Sequence, residues 1–329
     1  MGILPHTDVD AALDLALSLD IPFWPQLPRL SYYEDMYVQV SENFPGIRID
    51  LERRRVDFSR ARFMDELPAF LERIEDPATY RLSPRYSAVY HRFLERDLSG
   101  FAAIRGQLEG PVSFGLNVRD ENDRPVLYDD EVRPLLIDFT ARKAEVMLGE
   151  LGERNANAFL FVDEPGLEFV FSAMSGFDGN AARRDLDALF AGIRGRRGVH
   201  LCGNPDWDFL LRMEMEVLSF NAFALGERFV GYLPGVRRFI ERGGVVGWGI
   251  VPANYDDFHG STLDDLADRL ERLWDRLEQG GLPRERVLAQ SLLLPATCAL
   301  VNPDREKTVD ACYDVLRRLS RRVREKYGL

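Results

Sequence analysis

Residues 198–250 read GVHLCGNPDWDFLLRMEMEVLSFNAFALGERFVGYLPGVRRFIERGGVVGWGI and contain the pattern that organises most of this chain. Three short apolar runs, at 198–202, 217–221 and 245–250, alternate with longer amphipathic segments. This alternation is typical of βα units arranged around a parallel sheet. The stretch therefore predicts the α/β class.

The same alternation extends along most of the chain. Eight apolar runs occupy residues 2–4, 21–26, 108–116, 157–163, 198–202, 217–221, 245–250 and 287–294. Helix signals follow most of them, and we expect helices near 8–20, 61–74, 88–98, 129–150, 261–277 and 306–326, and a short helix that Asp206 opens. Eight strands in 329 residues favour a single (β/α)₈ TIM barrel, one domain over 1–329. Residues 27–103 break the pattern, and we interpret them as an insertion after the second strand that forms a rim or lid.

Composition excludes several classes of partner. The chain has 42 Lys and Arg against 54 Asp and Glu, a net charge of −12, which repels nucleic-acid phosphates and anionic lipid surfaces. No apolar run approaches the roughly 20 residues of a membrane span, and no basic-then-apolar leader opens the sequence. We expect a cytoplasmic protein with neither nucleic acid nor a membrane as partner.

Polar side chains stand where the apolar runs end. In a barrel, the carboxyl ends of the strands build the active site. The side chains at these positions are His6, Gln26, Asn117, Asp163, Glu164, His200, Cys202, Asn221 and Cys298.

Three of these side chains form a candidate zinc site. His200 and Cys202 lie two apart on an expected strand, so both leave the same face, and Cys298 follows the last run. Three protein ligands with one open position are the pattern of a catalytic zinc site, and the open position suits a thiol. Burial of His200 and Cys202 in the core is the alternative. Cys312 falls on the apolar stripe of the last helix, which indicates core packing.

Two further positions have open interpretations. Asp163 and Glu164 end an apolar strand, where a carboxylate could bind the amino group of an amino-acid substrate or cap a helix. His259 follows the seventh run and is either a mobile acid or a solvated loop residue.

Several motifs together resemble the catalytic half of cobalamin-independent methionine synthase, and the superfamily that it shares with uroporphyrinogen decarboxylase. The motifs are GILPHTD at 2–8, GPVSF at 110–114, VDEP at 162–165, HLC at 200–202 and the cysteine after LLLPAT. The resemblance implies that His200, Cys202 and Cys298 bind zinc and that Asp163 contacts a substrate amine. HLCGN is also similar to the zinc site of corrinoid:coenzyme M methyltransferases.

The chain departs from the methionine synthase pattern at several positions. Asn221 replaces a glutamate that ends the sixth strand in that family, and Val38 or Gln39 stands where a substrate-binding glutamate is expected. The family's histidine after the seventh strand falls near Asn254, with His259 as a displaced candidate for its acid role.

Taken together, these features predict a zinc-dependent methyltransferase. The expected substrate is a small thiol, homocysteine by preference, and the expected methyl donor is a folate or a methyl-corrinoid protein. The alternatives are a corrinoid:coenzyme M-type methyltransferase, a metal-free porphyrinogen-type decarboxylase, and a non-catalytic barrel that binds zinc or an amino acid.

Overall fold

The computed structural model of the chain describes residues 2–170, 177 and 179–329. The chain divides into two compact units, one formed by Thr7–Arg197 and the other by Met1–His6 together with Gly198–Leu329. Parallel strands with intervening helices occur in both units, which confirms the predicted α/β class. Closure into one eight-stranded barrel and the assignment of one domain stay predictions.

The unit Thr7–Arg197 combines helices with one antiparallel and one parallel strand pair. Its strands are β1 (Ile47–Asp50), β2 (Arg55–Phe58), β3 (Arg105–Glu109) and β4 (Phe159–Asp163). Its α-helices are α1 (Val9–Leu17), α2 (Met36–Ser41), α3 (Arg60–Leu71), α4 (Ala88–Leu94), α5 (Pro111–Asn117), α6 (Val132–Gly152), α7 (Leu167–Val170) and α8 (Gly179–Ala191). Short 3₁₀ turns occupy Tyr32–Glu34, Pro77–Tyr80 and Val126–Tyr128.

The unit that contains Gly198–Leu329 carries four neighbouring parallel strands in chain order. They are β5 (Arg196–Leu201), β6 (Val217–Phe220), β7 (Val245–Val251) and β8 (Ser291–Pro295). The helices are α9 (Trp207–Leu210), α10 (Ala222–Gly231), α11 (Leu233–Glu241), α12 (Tyr255–His259), α13 (Leu263–Gln279), α14 (Arg284–Ala289) and α15 (Lys307–Tyr327).

Where apolar runs correspond to strands, the reason is that parallel strands are covered on both faces. All five residues of β4 are buried, as are all four of β6. Strand β7 can lie close to both neighbours because a Cβ at Gly249 would collide with the backbone oxygens of Phe220 and Pro295. The Gly-rich sequence around Trp248 is therefore a close-packed strand.

Two predicted strands have different bounds in the structure. The expected strand 108–116 ends at Glu109, and Pro111 then begins α5. The expected strand 287–294 begins only at Ser291, after helix α14. Both errors have one cause, since a short buried apolar run fits a strand and a buried helix equally well. Proline at the first helical position was the signal for α5.

The first two runs and the insertion also differ from expectation. Within 2–4 and 21–26 the structure has only isolated bridge positions, Ile3, Phe23 and Gln26, of which Phe23 pairs with Arg105. Residues 27–103 contain the antiparallel pair β1–β2, which was not predicted, and the expected helices α3 and α4. In the residues that the structure describes, no helix is long and apolar enough to cross a membrane.

Candidate active site

The strongest part of the predicted metal centre is the pair His200 and Cys202. His200 is on β5 and is buried, and Cys202 directly follows that strand and is half-buried. The Sγ atom of Cys202 is 3.4 Å from Nε2 of His200. The expectation that both side chains leave one face of the strand agrees with this contact.

Ser219 sets the orientation of the His200 ring. It is the partner of His200 in the register of β5 and β6, and its Oγ is 2.9 Å from Nδ1 of His200. When Nδ1 donates its proton to Ser219, the lone pair of Nε2 faces Cys202. A partner on the second ring nitrogen is what metal-binding histidines usually have.

The spacing of these two atoms fits a zinc ion. Two ligands of a tetrahedral zinc are about 3.5 Å apart when Zn–N is about 2.0 Å and Zn–S about 2.3 Å. The observed 3.4 Å between Nε2 and Sγ is close to that edge. The same separation also suits a sulfur–imidazole hydrogen bond, so the pair accommodates the ion without requiring it.

Cys298 is half-buried and follows β8, in a segment over 296–306 that is neither helix nor strand. Among residues 2–170, 177 and 179–329, no group of three or more His, Cys, Asp or Glu side chains is arranged to hold a metal ion. The structure therefore brings His200 and Cys202 together, and the third ligand stays a prediction.

Cys312 belongs to the core, as expected. Its side chain is fully buried on α15, and its Sγ is 3.6 Å from the carbonyl oxygen of Val251. Burial raises the pKa of this thiol above its ordinary value. Cys312 is therefore the inert cysteine against which the others can be compared.

His6 is held by an acid on the last helix. Its Nε2 lies 2.9 Å from Oδ1 of Asp310, and the ring is buried. Its Nδ1 has no hydrogen-bond partner among the described residues. This nitrogen is therefore available to a further polar group.

The polar residues after β6 and β7 serve mainly as helix caps. Asn221 accepts a hydrogen bond from the amide of Ala224 and caps α10. Asn254 caps α12 in the same way through the amide of Asp257. His259 ends that exposed helix, with Nδ1 2.9 Å from the Tyr255 carbonyl oxygen. Caps of this kind accept hydrogen bonds from backbone N–H groups of the first helical turn, which have no acceptor within the helix.

Asp163, the acid expected to bind a substrate amine, is buried in the unit Thr7–Arg197. Asp163 ends β4 and is only 5% exposed. Burial raises the pKa of Asp163 to about 7, against the opposing charge of Arg105. Its Oδ1 has no hydrogen-bond partner in the described part of the chain.

Glu164 has the capping role that was the alternative for this position. Its carboxylate accepts hydrogen bonds from the amides of Val112 and Ser113 and from the Ser113 hydroxyl, at 3.0, 2.8 and 2.6 Å. It therefore closes the first turn of α5. The side chain lies so close to Gly110 that a Cβ there would overlap it. Burial raises the pKa of Glu164 to about 7, and the Ser113 hydrogen bonds oppose this rise.

Sequence reasoning missed Glu109 and Tyr37. Glu109 ends β3, is 1% exposed, and lies opposite Asp163 in the strand register. Tyr37, on α2, interacts electrostatically with Glu109. Burial, Glu164 and Asp163 together raise the pKa of Glu109 well above its ordinary value. The Glu-Gly-Pro sequence could have indicated this strand end, because proline readily begins a helix.

Two further expected substrate-binding residues are exposed or are hydrogen-bonded in the core. Asn117 is exposed at the end of α5 and does not follow the third strand. Gln39 is buried, accepts from Gln26 at 2.7 Å, and donates to Glu34 at 3.1 Å. Glu34 also accepts from the Ser87 hydroxyl at 2.6 Å. This network occupies most of the polar atoms of Gln39.

One known structure shares the fold of this chain. A methyltransferase from Methanosarcina mazei aligns with 99% of the chain and 87% of its own length, at 13% identity and a TM-score of 0.53. The two proteins have the same fold. A B12-independent methionine synthase from Shewanella sp. W3-18-1, solved in complex with selenomethionine, aligns with 68% of the chain at 15% identity and a TM-score of 0.43. The match spans 63% of that synthase chain. No protein-family model and no curated protein sequence matches the chain.

Proposed function

We propose that the chain is a zinc-dependent methyltransferase that activates a substrate thiol, of the superfamily of cobalamin-independent methionine synthase. The observation that carries the proposal is the contact of His200 Nε2 with Cys202 Sγ at 3.4 Å, with Nδ1 held by Ser219. A methyltransferase of the same fold adds support.

The protein ligands in this proposal are His200, Cys202 and Cys298. Cys298 follows the strand β8 of the same unit, in a segment free of helix and strand, so a side-chain or backbone adjustment there does not break regular structure. Zinc, when bound, lowers the pKa of a coordinated thiol so that the thiolate is present at neutral pH.

The reaction is an in-line displacement. The substrate thiol loses its proton, its sulfur forms a bond to the methyl carbon, and the bond between that carbon and the donor breaks with its electron pair on the donor. Ser219 fixes the His200 ring. His259 is the candidate acid for the leaving group. The preferred acceptor is homocysteine, and the donor is a methylated corrinoid or folate.

Metal analysis tests the proposal directly. We expect zinc to copurify with the wild-type protein, and we expect Cys202→Ser to lose most of it. Cys312→Ala is the matched control, because Cys312 is fully buried in the core and is not a proposed ligand. Equal zinc content in wild type and Cys202→Ser would contradict the proposal.

Methyl transfer is the second measurement. Methylcobalamin or methyltetrahydrofolate is incubated with homocysteine, with and without a chelator, and methionine is quantified. We expect turnover that chelator abolishes and zinc restores. Turnover of a porphyrinogen by metal-free protein would instead support the decarboxylase alternative.

A further inference from the structure

A small internal cavity lies between β3, α2 and α6 in the unit Thr7–Arg197. Its volume is about 10 Å³, close to what the centre of one water molecule requires. Every residue in its wall is buried, and the wall includes Trp24, Gln26 and Lys143. Apolar side chains such as Met36 and Leu108 form other parts of the wall, so the polar groups that a ligand could meet are few.

Two polar atoms of these wall residues lack a hydrogen-bond partner in the part of the chain that the structure describes. They are Nε1 of Trp24, which is a donor, and Oε1 of Gln26, which is an acceptor. Both side chains are only 1% exposed. Buried polar groups without partners cost free energy, so a donor and an acceptor in the wall of one cavity indicate a ligand that pairs with both.

The orientation of the Gln26 amide follows from its neighbours. Nε2 of Gln39 lies 3.3 Å from the carbonyl oxygen of Tyr86, which can only accept, and 3.1 Å from Oε2 of Glu34. Oε1 of Gln39 is therefore the atom that faces Gln26, and it accepts from Nε2 of Gln26 at 2.7 Å. Oε1 of Gln26 is left as a true acceptor.

Lys143 adds a buried cation to the same wall. It lies on α6 and is 1% exposed, and its Nζ is 3.4 Å from the carbonyl oxygen of Glu42 and 5.6 Å from the ring centroid of Phe139. Burial lowers the pKa of Lys143 to about 8, against the charges of Glu42 and Glu150, so most Lys143 side chains are protonated at pH 7. An ammonium has three N–H donors, and the long bond to Glu42 uses one of them.

The donors and acceptors of the wall decide what kind of ligand fits. Gln107 has its own partners, because its Oε1 accepts from Arg105 at 2.9 Å and its Nε2 donates to the Trp24 carbonyl oxygen at 2.7 Å. Lys143 and Trp24 then offer donors, and Gln26 offers an acceptor. A water molecule accepts from the first two and donates to the third. A small anion only accepts, so it would face the Gln26 oxygen without a proton between them.

We propose that this cavity is a binding site for one water molecule, which accepts hydrogen bonds from Lys143 Nζ and Trp24 Nε1 and donates one to Gln26 Oε1. The water gives the buried ammonium a second hydrogen-bond partner and joins α6 to the segment that precedes the insertion. Gln26 and Gln39 then serve an internal hydration site and do not bind substrate. Zinc and methyl transfer have no part in this site.

A high-resolution crystal structure of the wild-type protein tests the site directly. We expect a single density peak within hydrogen-bond distance, about 2.7–3.2 Å, of Lys143 Nζ, Trp24 Nε1 and Gln26 Oε1. Absence of that peak would overturn the inference. Crystals soaked in sodium bromide examine the rival occupant, because a bound bromide gives an anomalous signal. A bromide peak between Lys143 and Trp24 would show an anion site and would equally overturn it.

Magnetic relaxation dispersion of water ¹⁷O nuclei counts long-lived internal waters in solution. Lys143→Met keeps a chain of similar length without the ammonium, and we expect it to hold one internal water fewer than wild type. Lys307→Met is the matched control, since Lys307 is exposed, and it should show the wild-type count. An unchanged count in folded Lys143→Met would contradict the site. The wild-type crystal structure decides the question if Lys143→Met does not fold.

Discussion

Ser219 stands opposite His200 on the neighbouring strand, and its hydroxyl oxygen lies 2.9 Å from the Nδ1 atom of that histidine. The relationship joins two strand ends of one unit and directs Nε2 towards Cys202. A substitution of Ser219 therefore tests the proposed zinc site without removing a ligand.

Ser219→Ala should weaken zinc binding by about 10- to 100-fold, the usual effect of losing a partner of a metal-binding histidine. The hydroxyl holds the ring, so its loss lets His200 turn away from Cys202. Competition with a chromophoric chelator measures the dissociation constant. Ser261→Ala, in a loop of the same unit, is the control and should bind zinc as wild type. Identical affinity in Ser219→Ala would show that the serine does not orient a ligand.

The contribution of Asp163 and Glu164 to stability should fall as the pH rises from about 4 to 7. Burial raises the pKa of Asp163 from 3.8, and that of Glu164 from 4.5, to about 7, so in this window the folded state binds more protons than the unfolded state. The free energy of unfolding then decreases with pH by up to about 1.4 kcal/mol per unit for each group. Urea titrations between pH 4.5 and 8 give the free energy of unfolding at each pH, and hence its slope.

The variant Asp163→Asn should flatten this slope, because the amide does not titrate. Asp256→Asn, on the exposed helix α12, should leave it unchanged. A slope through the window that is the same in Asp163→Asn and wild type would contradict the assignment of a raised pKa to this acid.

Gly110→Ala should destabilise the protein by about 1–3 kcal/mol. A Cβ at Gly110 would overlap the carboxyl group of Glu164, and the carboxylate would have to leave the amides that it caps. Gly149→Ala is the matched control. It lies in α6 with no atom within 4 Å of an added Cβ, and alanine there should stabilise the helix by up to about 1 kcal/mol. Chemical denaturation compares the two, and equal stability of Gly110→Ala and wild type would argue against a tight contact with Glu164.

Phe220→Ala should cost about 3–5 kcal/mol of the free energy of unfolding, the usual cost of truncating a buried phenylalanine. The ring is fully buried, and its centroid lies 5.1 Å from that of Trp207 and 4.5 Å from that of Phe229. Phe169→Ala removes the same atoms from a ring that is 59% exposed and should change stability little. A similar loss in both variants, measured by thermal unfolding, would show that burial of Phe220 does not dominate its contribution.

Much of the fold followed from local patterns. The alternation of apolar runs with amphipathic segments predicted the α/β class, and most of the expected helices are present close to the expected bounds. The cap of α13 shows why. Thr262 and Asp265 form a reciprocal capping box that the sequence displays directly. Strand bounds were less certain, as α5 shows, because apolar burial alone does not separate a strand from a short helix.

For the candidate site, the sequence by itself determined which residue types stand after the strands, and the two-residue spacing of His200 and Cys202 determined that they share a face. Only the tertiary structure decided which groups meet. It set Ser219 against His200, gave Glu164 to the amides of α5, and buried Glu109 beside Asp163. The physical reason is that side-chain identity and period are local properties, whereas strand register and burial depend on residues far apart in the chain. Register and burial in turn determine which carboxyl groups keep a proton.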